Sequence, residues 1–356
     1  MHSVRPLVVL KCKLGELGAL CNLRSGSDAQ VRLMIELLDS VKPAGKLLPA
    51  LARAAVRLAE FGRTLWLDTT WLTPASPLAQ RPGGVFEYLD TIIESALLEA
   101  HGLFASELPG LIPVVPVTAS DDDLRRVRLL LEHKSRDVAI RVHSPWMPEQ
   151  DLAEHTRRIM RLTSAQTGQV HAILDAGFVE AVHTHHVRAV TRSAAVLSGL
   201  LGPGSTTLLA GSIPAIRTTY TTIEHNRTEV SLWREVRHST PEIRYGDYGV
   251  THPKPPIAGK GGRSPFPFLC YTVPQKIVIL RRRLETGDVP AELFADLAEE
   301  LVERDDFAGP DYSWGDHEFM RCRRRGGRTA GSVPKWVAMA TSHHLEHVSR
   351  RTATDL

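Results

Sequence analysis

The sequence predicts an α/β protein: a (β/α)8 barrel with a C-terminal α+β appendage that covers the C-terminal mouth of the barrel. Three observations lead there. Eight short, apolar, β-prone stretches recur at residues 6–11, 31–36, 64–68, 111–117, 138–141, 170–175, 206–212 and 242–247. The segments between them are long enough for one helix each, and parallel strands buried on both faces read as continuous apolar runs rather than as alternation. Most of the runs stop on a polar residue, and the character of the chain changes after Asp247. Eight such units in series close into a barrel of the TIM type, in which strand C-termini and the loops after them build the site.

The 356 residues suit one large domain with an appendage, divided as a barrel over residues 1–250 and a docked appendage over 251–351. Hydrophobic residues at 43% and charged residues at 23% are ordinary for a globular protein, and a net charge of +3 is too small to imply nucleic-acid binding by itself. No apolar run approaches the roughly 20 residues of a membrane helix, so no membrane contact is expected. Residues 1–5 lead into an apolar run of about five residues, too short for a signal peptide. Cys12, Cys21, Cys270 and Cys322 form no CxxC pair, which points to reduced thiols in the cytoplasm.

In order, residues 6–11 are the first strand, and Gly15 can open the turn into a helix over 16–23 with Glu16 in its first turn. The strand at 31–36 and a helix over 46–62 follow, then the strand at 64–68. The Pro- and Gly-rich loop 73–84 is long for a βα connection. A helix over 85–101 leads to the strand 111–117, where Pro113 and Pro116 sit awkwardly for a central strand. Ser120 with Asp121, Asp122 and Asp123 behind it signals a helix start. Helices over 148–162, 184–200 and 224–238 complete the alternation. Beyond it, 252–267 reads as a loop, 268–273 and 276–282 as an antiparallel pair, 290–304 as a helix, 309–317 as a loop and 333–351 as a final helix.

The polar residues at the strand ends are Lys11, Lys13, Glu36, Asp68, Arg141, Asp175, Ser212 and Asp247. Such ends converge on one rim, and a ring of carboxylates, Lys and Arg can hold a phosphate, a divalent metal or a paired acid and base. The competing reading is a salt-bridged ring that only closes the polar end of the barrel. Tyr245-Gly246-Asp247-Tyr248-Gly249 places Asp247 and Tyr248 at a glycine-flanked strand exit. The shortest path of the appendage puts Trp314-Gly315-Asp316 and His343-His344 over the same mouth, near Asp247.

His343 and His347 share a helix face, but His344 occupies the place where a zinc-protease motif needs Glu. His183, His185 and His186 open a helix and read as a polar cap. The basic run from Arg321 to Arg328 can contact nucleic-acid phosphates, although no aromatic residues interleave it. No GxGxxG, P-loop or G-x-S-x-G motif is present.

Several segments together resemble the phage-type beta protein family. The opening Pro6-Leu7-Val8-Val9-Leu10-Lys11 continues through Glu16 to Ala19-Leu20, in the manner of that family's strand followed by Lys-x-x-x-Glu-x-x-Ala-Leu. Met34-Ile35-Glu36, Leu174-Asp175, Ala210-Gly211-Ser212-Ile213-Pro214, Glu229 with Trp233, and Arg244-Tyr245-Gly246-Asp247-Tyr248 follow in order. His252-Pro253, Tyr271-Thr272, Ser313-Trp314-Gly315-Asp316 and His343-His344 complete the series. Around residues 276–283 the chain is more basic than the family pattern. The resemblance implies a setting, phage–host conflict or antiphage defence, and no particular reaction.

Two functions follow. The first is an enzyme that binds and hydrolyses a phosphorylated or nucleotide-like ligand. Glu36, Asp68, Asp175, Asp247, Asp316 and His344 would act as acid/base groups or hold a divalent metal. Lys11, Lys13, Arg141, Ser212, Tyr248, Trp314 and His343 would bind the ligand. The second is a non-catalytic scaffold that recognises a partner protein or a nucleic acid.

Overall fold

A computed structural model describes residues 5–24, 31–105, 108–143, 145–215, 219–255 and 266–351. Most of the loop expected over 252–267, namely 256–265, lies outside the described residues, as do residues 1–4 of the opening segment. The apolar runs are strands β1 (Leu7–Lys11), β2 (Arg32–Glu36), β3 (Leu65–Asp68), β4 (Leu111–Pro116), β5 (Val138–Val142), β6 (Val170–Phe178) and β7 (Thr206–Gly211). A short strand, β8 (Ile223–Asn226), belongs to a second sheet, and β9 (Arg244–Asp247) is the eighth barrel strand. All eight barrel strands are parallel, and β9 closes the ring on β1 through Leu7 opposite Gly246. The two prolines of β4 are accommodated because neighbouring groups carry its ladder. Val117 N–H donates to Arg141 O at 2.9 Å, and Val114 O accepts from Thr69 N–H.

Alternation along each strand divides the core in two. Leu7, Val9, Met34, Trp66, Val114, Ala139, Ile173 and Leu209 fill the lumen. Their neighbours Val8, Leu10, Ile35, Leu67, Val115, Ile140, Leu174 and Leu208 face outward into the helix layer. That layer is α1 (Leu14–Cys21), α2 (Leu47–Ala59), α3 (Val85–His101), α4 (Asp121–His133), α5 (Glu149–Thr163), α6 (Thr184–Leu201) and α7 (Thr228–Ser239). The Ser120 hydroxyl accepts from Asp123 N–H at 3.1 Å and caps α4.

The second layer combines a three-stranded antiparallel sheet of β10 (Phe268–Val273), β11 (Lys276–Arg281) and β8 with α8 (Pro290–Val302), α9 (Trp314–Cys322) and α10 (Val333–Ser349). Two expected elements change. The helix expected from residue 224 starts at Thr228, because 223–226 instead pair with β11, where Glu224 meets Lys276 at 2.7 Å. The loop expected over 309–317 gives way at Trp314 to α9, because the Ser313 hydroxyl accepts from Asp316 N–H and starts a helix. Leu269, Tyr271, Phe294, Leu297, Phe319, Trp336 and Met339 form the core of this layer. It docks at the C-terminal ends of β1, β7 and β9, where Ile213 and Val250 pack with Cys270, Ile277 and Ala340. No helix among the described residues is long and apolar enough to cross a membrane.

Candidate functional site: a paired charge cluster at the barrel mouth

Residues two positions beyond the lumenal apolar residues point into the same space, so the lumen ends in Lys11, Glu36, Asp68, Arg141 and Asp175. Register places Lys11 opposite Glu36 and Glu36 opposite Asp68. Arg141 stands at the centre. Its guanidinium meets Glu36 Oε1 at 2.8 Å, donates to Asp175 Oδ2 and the Tyr248 hydroxyl at 2.7 Å each, and bonds Asp68. None of the Arg141, Glu36, Asp68 or Asp175 side chains has exposed surface. Lys11 Nζ lies 3.4 Å from Glu36 and donates to the carbonyls of His252 (2.8 Å) and Pro253 (3.2 Å). The Trp71 indole donates to Glu36 at 2.9 Å, and Thr70 donates to Asp68.

Asp175 collects the most donors. Its Oδ1 accepts from Tyr248 at 2.6 Å and from Gly177 N–H at 2.9 Å; its Oδ2 accepts from Arg141 and lies 2.7 Å from His143 Nδ1. The β6 register shifts between Asp175 and Gly177, and Gly177 takes a φ of 65°, so a bulge aims this carboxylate. Burial works to raise the Asp175 carboxyl, but Arg141, His143 and Tyr248 outweigh it and hold the group well below the carboxylate range. Burial raises the Asp68 carboxyl against Arg141, with Glu36 adding to the rise. The Lys11 ammonium is pushed down by burial, against Glu36 and Glu16.

The sequence reading missed His143. It continues the inward alternation, two residues past Arg141, and its side chain is 41% exposed. An ionised Asp175 can only accept, so His143 Nδ1 carries the proton and Nε2 carries a lone pair. Among the described residues Nε2 has no hydrogen-bond partner. The Trp71 ring meets the His143 ring edge-on at 5.1 Å. Among the described residues this is the one acid–base pair of the lumenal cluster that reaches solvent.

Asp247 does not join the lumenal group. Tyr245 packs against Trp233 of α7, and Asp247, two residues on, faces the same outer side. There it accepts from Tyr245 at 2.8 Å, lies 2.9 Å from His344 Nε2 and 3.4 Å from Arg227. Burial works to raise the Asp247 carboxyl, yet His344 and Arg227 hold it below its ordinary range. Arg227 also pairs with Glu229 at 3.0 Å, and His344 Nδ1 meets the Thr272 hydroxyl at 2.8 Å. This cluster ties α7, β9, β10 and α10 together.

Asp316 and His343 form a third group inside the second layer. Asp316 accepts from Tyr271 (2.8 Å) and Ser313 (2.6 Å) and lies 2.9 Å from His343 Nδ1, whose Nε2 meets Thr272 O. Trp314 packs on that layer's core. Among the described residues the buried Ser212 hydroxyl has no hydrogen-bond partner, and Lys13 is the N-cap residue of α1. In the basic run, Arg321 and Arg328 meet Glu318 at 3.5 and 3.1 Å, and Arg324 pairs with Asp296, so much of the charge is answered within the chain. The rings of His183, His185 and His186 lie within 4.2–5.5 Å of one another. Among the described residues no group of three or more His, Cys, Asp or Glu is arranged to hold a metal ion.

The family model described as Beta protein matches residues 7–350. The chain belongs to the Beta protein family. No curated protein matches it. Among solved structures it is similar to fungal β-1,4-galactanase (TM-score 0.40, 11% identity, covering 65% of this chain and 80% of that one). It is also similar to a probable tagatose 6-phosphate kinase from Sinorhizobium meliloti 1021 (TM-score 0.38, 14% identity, 67% and 64%) and to the bifunctional proline utilization A protein (TM-score 0.37, 11% identity, 70% and 26%). Fold assignment for this Beta protein family member rests on its closed parallel strand order, not on these scores.

Proposed function

We propose that this Beta protein family member is a hydrolase that acts on a phosphorylated or nucleotide-like ester at the mouth of its barrel. The observation that carries the reading is the His143–Asp175 pair: a part-exposed imidazole whose Nδ1 is held by a buried, ionised carboxylate. In this reading Nε2 takes a proton from water as the water oxygen bonds to phosphorus and the leaving oxygen departs. Asp175 keeps the imidazole in the required tautomer and stabilises its charged form. Trp71, beside His143, offers a face for a base. Arg141 and Lys11 are not the anion holders of this reading, since carboxylates already occupy both. Arg141 keeps Asp175 ionised, and Lys11, paired with Glu36 and the His252 and Pro253 carbonyls, braces the mouth. The phage-type family points to phage–host conflict or antiphage defence as the setting, and the four free cysteines favour the cytoplasm.

The test is a screen of purified protein against p-nitrophenyl phosphate, bis(p-nitrophenyl) phosphate and a nucleotide panel, with and without added Mg2+ or Mn2+. Turnover that falls about 100-fold or more in His143→Gln is expected. Complete inactivity across the panel would favour a second reading, a non-catalytic recognition protein. The observation behind that alternative is the internal pairing of every lumenal charge at the barrel end.

A further inference from the structure

A cavity of about 590 Å3 opens where α1, the residues after β9 and α10 meet. Its walls are mostly apolar, built by Leu14, Val250, Phe268, Trp336, Val337 and Ala340. Its charged lining is Lys11, Lys13, Lys254 and Glu16, with Thr251 and His252 as further polar residues. These groups share one end, because Lys11 Nζ bonds the His252 and Pro253 carbonyls and so brings Lys254 beside the start of α1. Lys11 is engaged by Glu36, but neither the Lys13 nor the Lys254 ammonium has a hydrogen bond or ion pair among the described residues.

Two further features point to a ligand at that end. Lys13 gives α1 no side-chain cap, so the Leu14 and Gly15 N–H groups have no intrahelical acceptor at the positive end of the helix. Glu16 is only 3% exposed, yet no side chain among the described residues hydrogen-bonds to it; its own N–H is its donor. Burial pushes the Glu16 carboxyl up, against the pull of its own N–H and of Lys13 and Lys11. A buried carboxyl to which no other side chain hydrogen-bonds, in a cavity of ligand size with apolar walls, leaves a polar position beside the two lysines that a bound polar head can reach.

We infer that this cavity binds an amphipathic anion, its apolar body against Leu14, Trp336 and Val337 and its anionic head on Lys13, Lys254 and the first N–H groups of α1. The head is a carboxylate or a phosphate, and the site is independent of the His143 chemistry. The test is isothermal titration of the full chain with dodecanoate and dodecyl phosphate, each below its micelle concentration, beside inorganic phosphate and dodecyltrimethylammonium. One or both amphipathic anions should bind at one site per chain, and which of them binds identifies the head. Inorganic phosphate and the cation should bind at least about tenfold more weakly, and a Lys13→Gln/Lys254→Gln variant that melts like the wild type should lose about tenfold in affinity. If the double variant does not fold, Lys254→Glu alone should show the loss. No binding of either anion, equal binding of the cation or of inorganic phosphate, or undiminished binding by a folded lysine variant would overturn the proposal.

Discussion

A guanidinium with no exposed surface, set among Glu36, Asp68 and Asp175, supplies the counter-charge that water no longer provides at the end of the lumen. Arg141→Met should therefore destabilise the fold by about 3–5 kcal/mol in urea unfolding at pH 7, since it strands buried carboxylates. His347 gives a pH signature of the opposite kind. Burial, with Arg227 and the neighbouring histidines, pushes its imidazole far below the ordinary range, so the folded state holds it neutral. The unfolded chain takes up a proton there below about pH 6.5, and the folded chain does not. Stability should then fall as pH drops from about 6.5, by up to about 1.4 kcal/mol per unit. His347→Gln should flatten that part of the urea-midpoint profile. Asp247 works at lower pH. Its depressed folded value means that its contribution is present above about pH 4 and disappears as pH falls through the folded value. The penalty of Asp247→Asn should shrink to nothing over that acid range in the same measurement. The residue scale is also where the sequence was least legible. His143 was within reach, because alternation extends the Arg141 side of β5 by two residues. Arg227 was not, because nothing in a loop before a helix announces that its guanidinium will be buried beside Asp247.

At the scale of elements, the apolar runs sufficed to locate every barrel strand, because strands buried on both faces admit few polar residues. What they did not show was which side each terminal polar residue takes. Asp247 falls on the outer parity, and its pairing with His344 and Arg227 makes it a joint between layers. The start of α9 was expected as part of a loop over 309–317, although Ser313-x-x-Asp316 carries the pattern of a helix cap, whereas β8 was hidden because four residues make a strand only once β11 lies alongside. Gly315 shows how close these elements come: a Cβ there would collide with the Met339 carbonyl oxygen of α10. Gly315→Ala should cost about 1–3 kcal/mol in thermal or urea unfolding, because backbone must shift to admit the methyl group. A variant as stable as the wild type would show that α9 and α10 can separate at little cost.

Across the whole molecule, the second layer is fastened to the barrel by buried polar contacts as well as by apolar packing. Asp247–His344 and the Lys11 bonds to the carbonyls of His252 and Pro253 lie at that junction, and β8 leaves the barrel chain to join the other sheet. A chain truncated after Val250 would lose the partner of β8 and expose the face of α1 that α10 covers; it should fail to give a cooperative melt. The same network makes Asp247→Ala and Asp316→Ala destabilising changes, so lost activity in those variants would not assign them a chemical role. His143 is different: part-exposed, held by one bond, and outside every core cluster. The most direct measurement is therefore kcat/KM of His143→Gln against wild type on the best phosphoester from the screen, with the melting temperature of both. A melting temperature within a few degrees and a kcat/KM lower by about 100-fold or more are expected. Wild-type kcat/KM in a folded His143→Gln would contradict the assignment of the chemistry to the barrel mouth.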